Sequence, residues 1–361
     1  MRYEELAEQL SRQPRNWLVT GAAGFIGSHL VERLLRCQQR VVGVDNFATG
    51  HRRNLDDVEA RVGKAAFSRF RLIEGDIRDV TTCSRAVDGV DLVLHQAALG
   101  SVPRSMEEPL ASHAANVDGF VNVVLAAGAA GVKRLVYASS SSVYGDEPSP
   151  CKVEERRGRL LSPYAATKLV DEVYAETFRL THGIESVGLR YFNVFGPRQD
   201  PEGAYAAVIP RWTEQLVRGE PCVVFGDGTT SRDFCFVDNV VRANLLAACV
   251  PSAQLEDHVF NVACGESTSL LDLFAIIRAL LTRYRPETAD AVLEHAAPRA
   301  GDIRHSLASI DRARAQLGYQ AELDVATGLE QTVRWYAEQA GLNDQGGSGR
   351  RIADRFAREA S

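Results

Sequence analysis

The sequence predicts an α/β protein in which a doubly wound parallel sheet is joined to a smaller, interleaved α/β lobe. Three observations support this fold class. Short apolar runs alternate with helical stretches in the first half of the chain, a glycine-rich loop follows the first of those runs, and the alternation stops near residue 190. Regular alternation of strands and helices is typical of a parallel sheet that binds its ligand at the carboxyl ends of the strands.

The composition of the 361-residue chain is that of an ordinary globular protein, with 45% hydrophobic and 24% charged residues. The net charge of −6 and the lack of a long basic run give no support for a nucleic-acid partner. The polar start is not a signal peptide, and no apolar run approaches the roughly 20 residues of a membrane span. The seven cysteines are scattered and never in CxxC spacing. We therefore expect reduced thiols, a cytoplasmic location and no metal site.

A strand, a glycine-rich loop, a helix and a second strand follow a short amphipathic helix at residues 3–12. Their predicted ranges are 16–20, 21–27, 28–36 and 40–45. Gly21, Gly24 and Gly27 allow a tight turn, close approach of the backbone to a pyrophosphate, and close packing of helix on strand. The free N–H groups and the dipole of the helix N-terminus favour an anion at the same place. This unit predicts a dinucleotide-binding site.

Asp45 ends the second strand, 18 residues after Gly27. A carboxylate at this point can accept hydrogen bonds from the adenosine ribose hydroxyls and would repel a 2′-phosphate. The sequence therefore predicts NAD rather than NADP.

The rest of the first domain continues the alternation. We expect strands at 70–75, 91–95 and 135–139 and a long helix at 111–131. Small residues follow the fourth strand, and the run Ser139 to Ser142 ends the fifth, where hydroxyl groups would face the cofactor.

The stretch Ser162-Pro163-Tyr164-Ala165-Ala166-Thr167-Lys168 predicts a helix start that carries an acid/base pair. Ser162 can cap the helix with its hydroxyl, and Pro163 suits the first helical position. Tyr164 and Lys168 stand four residues apart, on one face of the helix. A neighbouring ammonium favours the phenolate, so this pair could move protons at working pH.

Residues beyond 190 predict the smaller lobe, with helices near 210–219, 237–249 and 269–283 and strands at 222–225 and 259–262. We divide the chain into a dinucleotide-binding domain at 1–190, with return segments near 232–262, and a second lobe at 191–342. Residues 343–361 include a Gly-Gly-Ser-Gly run and are expected to form a mobile tail.

Together these motifs resemble the extended short-chain dehydrogenase/reductase family over residues 15–340. The matching residues are Thr20 to Gly27, Asp76-Ile77, the serine run with Val143-Tyr144-Gly145, Tyr164-x-x-x-Lys168, and Arg190-Tyr191-Phe192-Asn193. Within the family the chain looks most like the bacterial UDP-N-acetylglucosamine 4-epimerases of surface-polysaccharide pathways. The passages that suggest this are Asp45 to His51, His95 to Ser105 and Tyr205 to Pro210.

The resemblance implies a fold, a cofactor and a reaction. The fold would be a Rossmann domain with a UDP-sugar-binding lobe, and NAD would stay tightly bound. The reaction would be reversible C4 epimerisation of UDP-N-acetylglucosamine and UDP-N-acetylgalactosamine through a transient 4-keto sugar. Tyr164 would take the proton of the 4-hydroxyl, Ser140 would hydrogen-bond the 4-oxygen, and Lys168 would hold the nicotinamide ribose. The family forms homodimers through a four-helix bundle, here from helices near 112–131 and 162–182.

The resemblance also implies two sets of binding residues. Those expected to bind the cofactor are Gly21, Gly24, Phe25, Ile26, Gly27, Asp45, Asn46, Thr49, Gly50, Asp76, Ile77, Gln96, Ala97, Ala98, Lys168 and Tyr191. Those expected to bind the UDP-sugar are Gly100, Ser101, Ser140, Ser141, Ser142, Tyr164, Asn193, Ala207, Val208, Val224, Arg232, Arg299, Asp302 and Ser306.

Ser306 stands where the family places a residue that controls sugar size. A bulky tyrosine there would exclude a 2-acetamido group, whereas serine leaves space for it. Gly100 and Ala207 are small as well. We therefore expect N-acetylated sugars to be preferred over UDP-glucose and UDP-galactose.

Other functions stay open at this point. A 4,6-dehydratase is disfavoured, because Ser140 is followed by serines rather than by an Asp-Glu pair. An epimerase of UDP-glucose and UDP-galactose, or of UDP-uronic acids, remains an alternative, and Arg104 or Arg198 could bind a sugar carboxylate. The last alternative is a non-catalytic NAD-sensing protein, although such proteins usually lack the tyrosine–lysine pair.

Overall fold

The computed structural model describes residues 2–202, 206–298 and 304–344. The strands in these ranges are β1 (Asn16–Thr20), β2 (Arg40–Asp45), β3 (Phe70–Glu74), β4 (Leu92–His95), β5 (Arg134–Ser140), β6 (Cys151–Lys152), β7 (Ser186–Tyr191), β8 (Val194–Phe195), β9 (Cys222–Phe225), β10 (Ser231–Arg232), β11 (Cys235–Phe236), β12 (Val259–Val262), β13 (Thr268–Ser269), β14 (Leu293–Ala296) and β15 (His305–Ala308).

The α-helices in the same ranges are α1 (Tyr3–Arg12), α2 (Phe25–Arg36), α3 (Arg52–Val62), α4 (Lys64–Phe67), α5 (Val80–Ala86), α6 (Val102–Glu107), α7 (Pro109–His113), α8 (Gly119–Ala129), α9 (Pro163–His182), α10 (Val208–Arg218), α11 (Val237–Cys249), α12 (Leu270–Leu281), α13 (Asp311–Leu317) and α14 (Val325–Gln339). A π-helical turn at Ala114–Asp118 joins α7 to α8. Short 3-10 turns lie at Ser141–Tyr144, Ser252–Gln254 and Pro286–Asp290.

The main sheet runs in the order β12-β7-β5-β4-β1-β2-β3, and every neighbouring pair is parallel. The strand order reverses between β1 and β4, which opens a crevice at the carboxyl ends of these strands. Such a reversal is where doubly wound sheets bind their ligands. The predicted doubly wound parallel sheet is confirmed.

Both faces of this sheet are covered, as the nearly continuous apolar character of its strands requires. In β1, Trp17, Leu18 and Val19 are all essentially buried. One face packs against α2 and α11, and the other packs against α8, with Phe120 and Tyr137 in edge-to-face contact there. The sheet is therefore the rigid base from which the crevice residues project.

A second core lies beyond the main sheet and is built from α10, α12 and α14, with Trp212 against Phe274. Its small sheet, in the order β13-β10-β15-β6, takes β6 from the segment between β5 and α9. In return, β12 from the second half of the chain pairs with β7 of the main sheet. The two halves exchange strands, which confirms that the smaller lobe is interleaved.

The structure differs from the prediction at the helix expected over 111–131. That stretch begins earlier, at Pro109, and contains the π-helical turn. A side chain added at Gly119, where α8 begins, would lie 2.5 Å from Ile77. The helix therefore packs closely on Ile77, and a larger residue at position 119 would require the Ile77 side chain to shift. Helices α3 and α5, which follow β2 and β3, were not predicted, because their exposed faces are polar and the apolar stripe is short.

Among the described residues, no helix combines the length and the apolar character that crossing a bilayer requires. The seven cysteines all lie in the described ranges and are free thiols. Of the predicted tail at 343–361, residues 345–361 lie outside the described part of the chain.

Candidate active site

A cavity of about 1370 Å³ lies along the carboxyl ends of the main strands and extends to the second lobe. Residues predicted to bind the cofactor and residues predicted to bind the UDP-sugar both line this cavity. The predicted residues that line it are Gly21, Gly24, Phe25, Ile26, Gly27, Asp45, Asn46, Thr49, Gly50, Asp76, Ile77, Gln96, Ala97, Ala98, Gly100, Ser101, Ser140, Ser141, Ser142, Tyr164, Lys168, Tyr191, Asn193, Ala207, Arg232 and Ser306.

The glycine loop forms a cradle that fits a pyrophosphate. Gly21 has a positive φ of 67°, and a side chain there would lie 2.9 Å from the backbone nitrogen of Ala97. A side chain on Gly27 would lie 2.0 Å from the carbonyl oxygen of Gly21, so α2 begins directly against the loop. The first N–H groups of a helix have no partner within the helix, and here they border the cavity.

Asp45 is held in place by the backbone around it. Its Oδ2 accepts a hydrogen bond from the Ala23 N–H at 2.8 Å, and its Oδ1 accepts one from the Phe47 N–H at 2.8 Å. Each oxygen has a second lone pair, so two acceptor sites are left for a ribose diol. A side chain at Gly50 would lie 2.9 Å from this carboxylate. The cradle and the oriented acid together fit NAD.

A side-chain network supports the middle of the cofactor crevice. The Tyr191 hydroxyl donates to Oε1 of Gln96 at 3.1 Å and also contacts Asn244. Gln96 in turn donates to Asn244 at 3.1 Å. Burial raises the pKa of Tyr191 well above its usual value. Tyr191 therefore acts as a neutral hydrogen-bonding residue, and Asn244 is a member of the site that the sequence motifs did not reveal.

The start of α9 carries the expected cap. Ser162 Oγ accepts a hydrogen bond from the Ala165 N–H at 3.1 Å, and Pro163 is the first helical residue. A second contact was not predicted: the Tyr164 N–H donates to Ser105 Oγ at 3.0 Å. Ser105 is buried on α6, so that short helix fixes the first turn of α9. Tyr164 itself is half-buried and lines the cavity.

Lys168 has a buried carboxylate as its partner. Its Nζ lies 3.2 Å from Asp171 Oδ2, and the side chains are only 2% and 1% exposed. Burial raises the pKa of Asp171 to about 7, although the nearby ammonium of Lys168 opposes that rise. The pair fixes the position of Lys168 at the cavity wall. Spacing alone gave Lys168 a tyrosine neighbour but did not reveal this acid.

A buried ion pair joins α9 to the ends of β5 and β7. Arg190 donates two hydrogen bonds to Glu172, at 2.9 and 2.8 Å. Glu172 also accepts one from Ser139 Oγ at 2.6 Å. A bidentate arginine–carboxylate pair is directional as well as strong. It therefore sets the distance between the Tyr164 helix and the serine run.

Ser140 Oγ accepts two hydrogen bonds from Ser142, one from its N–H at 3.2 Å and one from its hydroxyl at 3.0 Å. A serine hydroxyl has two lone pairs and one proton. With both lone pairs used, the proton of Ser140 is left to donate into the cavity.

The π-helical turn places Asn116 between the loop after β4 and α9. Asn116 is fully buried, accepts a hydrogen bond from the Leu99 N–H at 2.7 Å and donates to Thr167 Oγ1 at 3.0 Å. It thereby ties the loop after β4 to α9. Such turns are frequent at functional sites, but an unbroken helical pattern gives no signal of one.

The second lobe supplies the far end of the cavity. Arg232 on β10 pairs in register with Ser306 on β15. Asp233 follows Arg232 and accepts hydrogen bonds from the N–H groups of Cys264 and Gly265, at 2.9 and 3.0 Å. Asn193 donates to the carbonyl oxygen of Asp233 at 2.9 Å. These contacts orient the arginine and the serine side by side.

Comparison with known proteins identifies the family. A model of the NAD-dependent epimerase/dehydratase family matches residues 17–263, which is more than half of the chain. The chain belongs to this family. The predicted membership of the extended short-chain dehydrogenase/reductases is thus confirmed, and so is NAD as the cofactor.

Three relatives show how close the match is. The UDP-glucose 4-epimerase of Mycolicibacterium smegmatis is 36% identical over 326 residues, covering 90% of this chain and 99% of that protein. The UDP-N-acetylglucosamine 4-epimerase of Methanobrevibacter ruminantium M1, solved in complex with UDP-N-acetylmuramic acid, is 36% identical. Its TM-score is 0.81, with coverage of 90% and 99%.

The third is a variant of the UDP-glucuronic acid 4-epimerase of Bacillus cereus, solved with UDP-4-deoxy-4-fluoro-glucuronic acid and NAD. It is 30% identical, with a TM-score of 0.79 and coverage of 90% and 99%. The predicted NAD-dependent nucleotide-sugar 4-epimerase is confirmed at that level. The relatives differ in the sugar that their names give.

Two predicted substrate residues in the described part of the chain do not line the cavity. Val208 and Val224 pack in the second core and do not line the cavity, because the apolar sides of α10 and β9 face that core. For these two the prediction of substrate contact is corrected. Arg299 and Asp302 lie outside the described residues.

Proposed function

We propose that this epimerase interconverts UDP-N-acetylglucosamine and UDP-N-acetylgalactosamine at C4. The observation that supports this proposal is that the cavity is lined by small residues at Gly100, Ala207 and Ser306, the three positions expected to leave space for the sugar. Ser306 pairs in register with Arg232, and Ala207 lines the same cavity. A side chain added at Gly100 would meet nothing within 4 Å, so there is open space next to that residue. A 2-acetamido group needs such space.

Each residue of the site has a separate role in the proposed reaction. NAD, held by the glycine loop and Asp45, would supply the hydride acceptor and donor for C4 of the sugar. Tyr164 removes the 4-hydroxyl proton and later returns it, as general base and then general acid. Ser140 donates a hydrogen bond to the 4-oxygen, and Lys168, held by Asp171, binds the nicotinamide ribose. Arg232 and Asn193 bind the diphosphate, for which a planar guanidinium is well suited.

Incubation of the purified protein with separate UDP-sugars tests the proposal. The panel is UDP-N-acetylglucosamine, UDP-N-acetylgalactosamine, UDP-glucose, UDP-galactose and UDP-glucuronic acid, with the products separated by chromatography. We expect each N-acetylated sugar to give its 4-epimer, with a higher kcat/KM than the plain hexoses. If neither N-acetylhexosamine gives a product, the proposal is refuted.

The role of Ser306 is tested by Ser306→Tyr, with Ser306→Ala as the matched small control. The tyrosine should reduce kcat/KM for UDP-N-acetylglucosamine about tenfold or more and spare UDP-glucose, because a steric difference in a pocket is worth about 1–3 kcal/mol. The alanine variant should keep the wild-type preference. Faster turnover of the N-acetylated sugar by Ser306→Tyr would refute the size argument.

A UDP-uronic acid is the second candidate substrate, because of Arg104. This half-buried residue lines the cavity, and no ion pair of its guanidinium occurs among the described residues. Arg198, the other residue predicted for this role, is paired with Glu32 and Asp57 instead. Arg104→Met should reduce kcat/KM on UDP-glucuronic acid about tenfold, the value of one charge-assisted hydrogen bond, and leave UDP-N-acetylglucosamine unaffected. Equal losses on both sugars would argue against a carboxylate-binding role.

We also propose that the protein is a homodimer that meets its copy through α7, α8 and α9. Large apolar side chains are exposed on these helices, and they are Leu110, Leu125, Val173, Tyr174 and Leu180. Neighbouring apolar residues on a surface are typical of a protein interface.

A cytoplasmic location and a role in surface-polysaccharide synthesis remain predictions, the first from the cysteine pattern and the second from the resemblance.

A further inference from the structure

The loop at 196–200 crosses from the second lobe to the cofactor-binding helices and is held in an unusual conformation. Arg198 has a positive φ of 65°, which residues other than glycine rarely adopt. Such a conformation persists only where the surrounding contacts fix it. Gln199 and Asp200, the next two residues, line the cavity. The loop therefore borders the cofactor crevice.

The contacts of the Arg198 side chain come from the helices that follow the glycine cradle and β2. Arg198 donates to Asp57 Oδ2 on α3 at 2.8 Å and to Ser28 Oγ on α2 at 3.3 Å. Its remaining nitrogen is paired with Glu32 on α2. The arginine side chain is only 1% exposed. Three partners on two helices fix this guanidinium from three directions.

Glu32 and Asp57 also have partners on their own helices. Arg36 donates to Glu32 at 2.9 Å, and Arg61 donates to Asp57 at 2.8 Å. The charges alternate along this network, with Arg198 at its centre. Of the three arginines, Arg198 alone reaches the network from outside α2 and α3. Removal of Arg198 would therefore leave each acid with a counter-ion while removing the contacts of this guanidinium with α2 and α3.

Further contacts hold the loop at 196–200 in place. His29 on α2 donates from Nε2 to the carbonyl oxygen of Pro197 at 2.9 Å. His51, in the loop after β2, lies 3.0 Å from Asp200 through its Nε2. On the other side, the Tyr336 hydroxyl of α14 donates to the carbonyl oxygen of Gln199. The loop is thus anchored in the second core and fastened to the dinucleotide-binding domain.

We propose that Arg198 is an interlobe clasp that retains NAD between turnovers. Helix α2, which the clasp holds at Ser28 and Glu32, is the same helix whose first turn forms the pyrophosphate cradle. In this proposal, the dinucleotide leaves when the loop separates from α2 and α3. Arg198 is a positioning residue in this scheme and does not take part in the chemistry.

The test measures NAD release from the purified holoenzyme, with no sugar present. The variant is Arg198→Met, which keeps the length of the side chain and removes its charge and donors. The matched control is Arg36→Met, which removes a partner of the same Glu32 within one helix. We expect NAD release to be about tenfold or more faster from Arg198→Met, because charge-assisted hydrogen bonds are lost. Arg36→Met should release NAD within about twofold of wild type.

A second variant makes the test independent of the folding of Arg198→Met. Asp200→Asn weakens the contact with His51 at a half-exposed position and should speed NAD release by about two- to fivefold. Wild-type release rates from both variants would overturn the clasp, as would equal acceleration by Arg36→Met. Since no sugar is used, failure of the clasp and failure of the proposed epimerisation are separate results.

Discussion

Tyr164 is the residue on which the proposed chemistry depends most directly. Tyr164→Phe keeps the ring that lines the cavity and removes the oxygen that would exchange the proton. We expect kcat for UDP-N-acetylglucosamine to fall about 10²- to 10⁴-fold, the usual contribution of a general acid/base. NAD content should stay at the wild-type level, because the tyrosine hydroxyl is not part of the cradle.

The control is Tyr174→Phe, ten residues further along α9, where the ring is exposed on the outer face of the helix. This variant should turn over substrate at the wild-type rate. Wild-type turnover by Tyr164→Phe would instead support the non-catalytic, NAD-sensing alternative.

His29 makes stability depend on pH. Burial and then the charge of Arg198 lower the pKa of His29 to about 3. The unfolded chain binds a proton at His29 below about pH 6.5, whereas the native protein does not until about pH 3. Stability therefore falls as the pH is lowered through this window, by up to about 1.4 kcal/mol per pH unit.

The matched variant is His29→Gln, whose amide can still donate to Pro197 but does not titrate. Between pH 7.5 and 5.5, we expect the wild-type free energy of unfolding to fall about 1 kcal/mol more than that of the variant. Urea unfolding at both pH values measures the difference. His182→Gln, at an exposed position, should behave like the wild type. Parallel losses in wild type and His29→Gln would contradict a neutral, buried His29.

At the scale of the element, a buried ion pair between Glu172 and Arg190 holds α9 against the main sheet. Glu172→Ala leaves Arg190 buried without its carboxylate, and breaking such a pair costs about 3–5 kcal/mol. The control is Glu176→Ala, four residues away, which breaks the more exposed pair with Arg179 and should cost about 1 kcal/mol or less. Chemical denaturation of both variants measures this. Equal costs would show that the Arg190 pair does not hold α9 in place.

Most of the elements of the main sheet could be predicted from sequence, because buried parallel strands are continuous apolar runs bounded by polar or glycine-rich turns. The glycine loop and Asp45 were predictable for a similar reason, since their spacing along the chain fixes their geometry. The π-helical turn was not predictable, because Asn116 is one of several polar residues in an otherwise regular helical pattern. Its role is visible only in its contacts with Leu99 and Thr167.

Ion pairs between residues far apart in the chain could not be predicted from sequence either. Arg198 was one of two residues that could bind a sugar carboxylate if the substrate were a uronic acid, yet Glu32 and Asp57 occupy its donors. The family resemblance implied that Val224 binds substrate. In the structure, the alternation of β9 directs this side chain into the core. A motif fixes which residues are near each other in sequence, whereas tertiary packing decides which of them reach the cavity.

At the scale of the whole molecule, we predict a dimer that one charge can disrupt. Val173 is 58% exposed on the outer face of α9. Val173→Glu would bury a charge in the proposed four-helix interface and should give monomers, because an unpaired buried charge is costly. Light scattering after gel filtration measures the mass. Val292→Glu, exposed in the second lobe, should remain a dimer, and dimeric Val173→Glu would place the interface elsewhere.

In the proposed reaction, the bond to hydrogen at C4 is broken and remade within one closed site. This claim is tested by incubating the enzyme with UDP-N-acetylglucosamine that carries deuterium at C4, in ordinary water. We predict that UDP-N-acetylgalactosamine forms and that the deuterium is retained at C4 of both sugars. Loss of the deuterium to solvent, or the absence of any 4-epimer, would contradict the account.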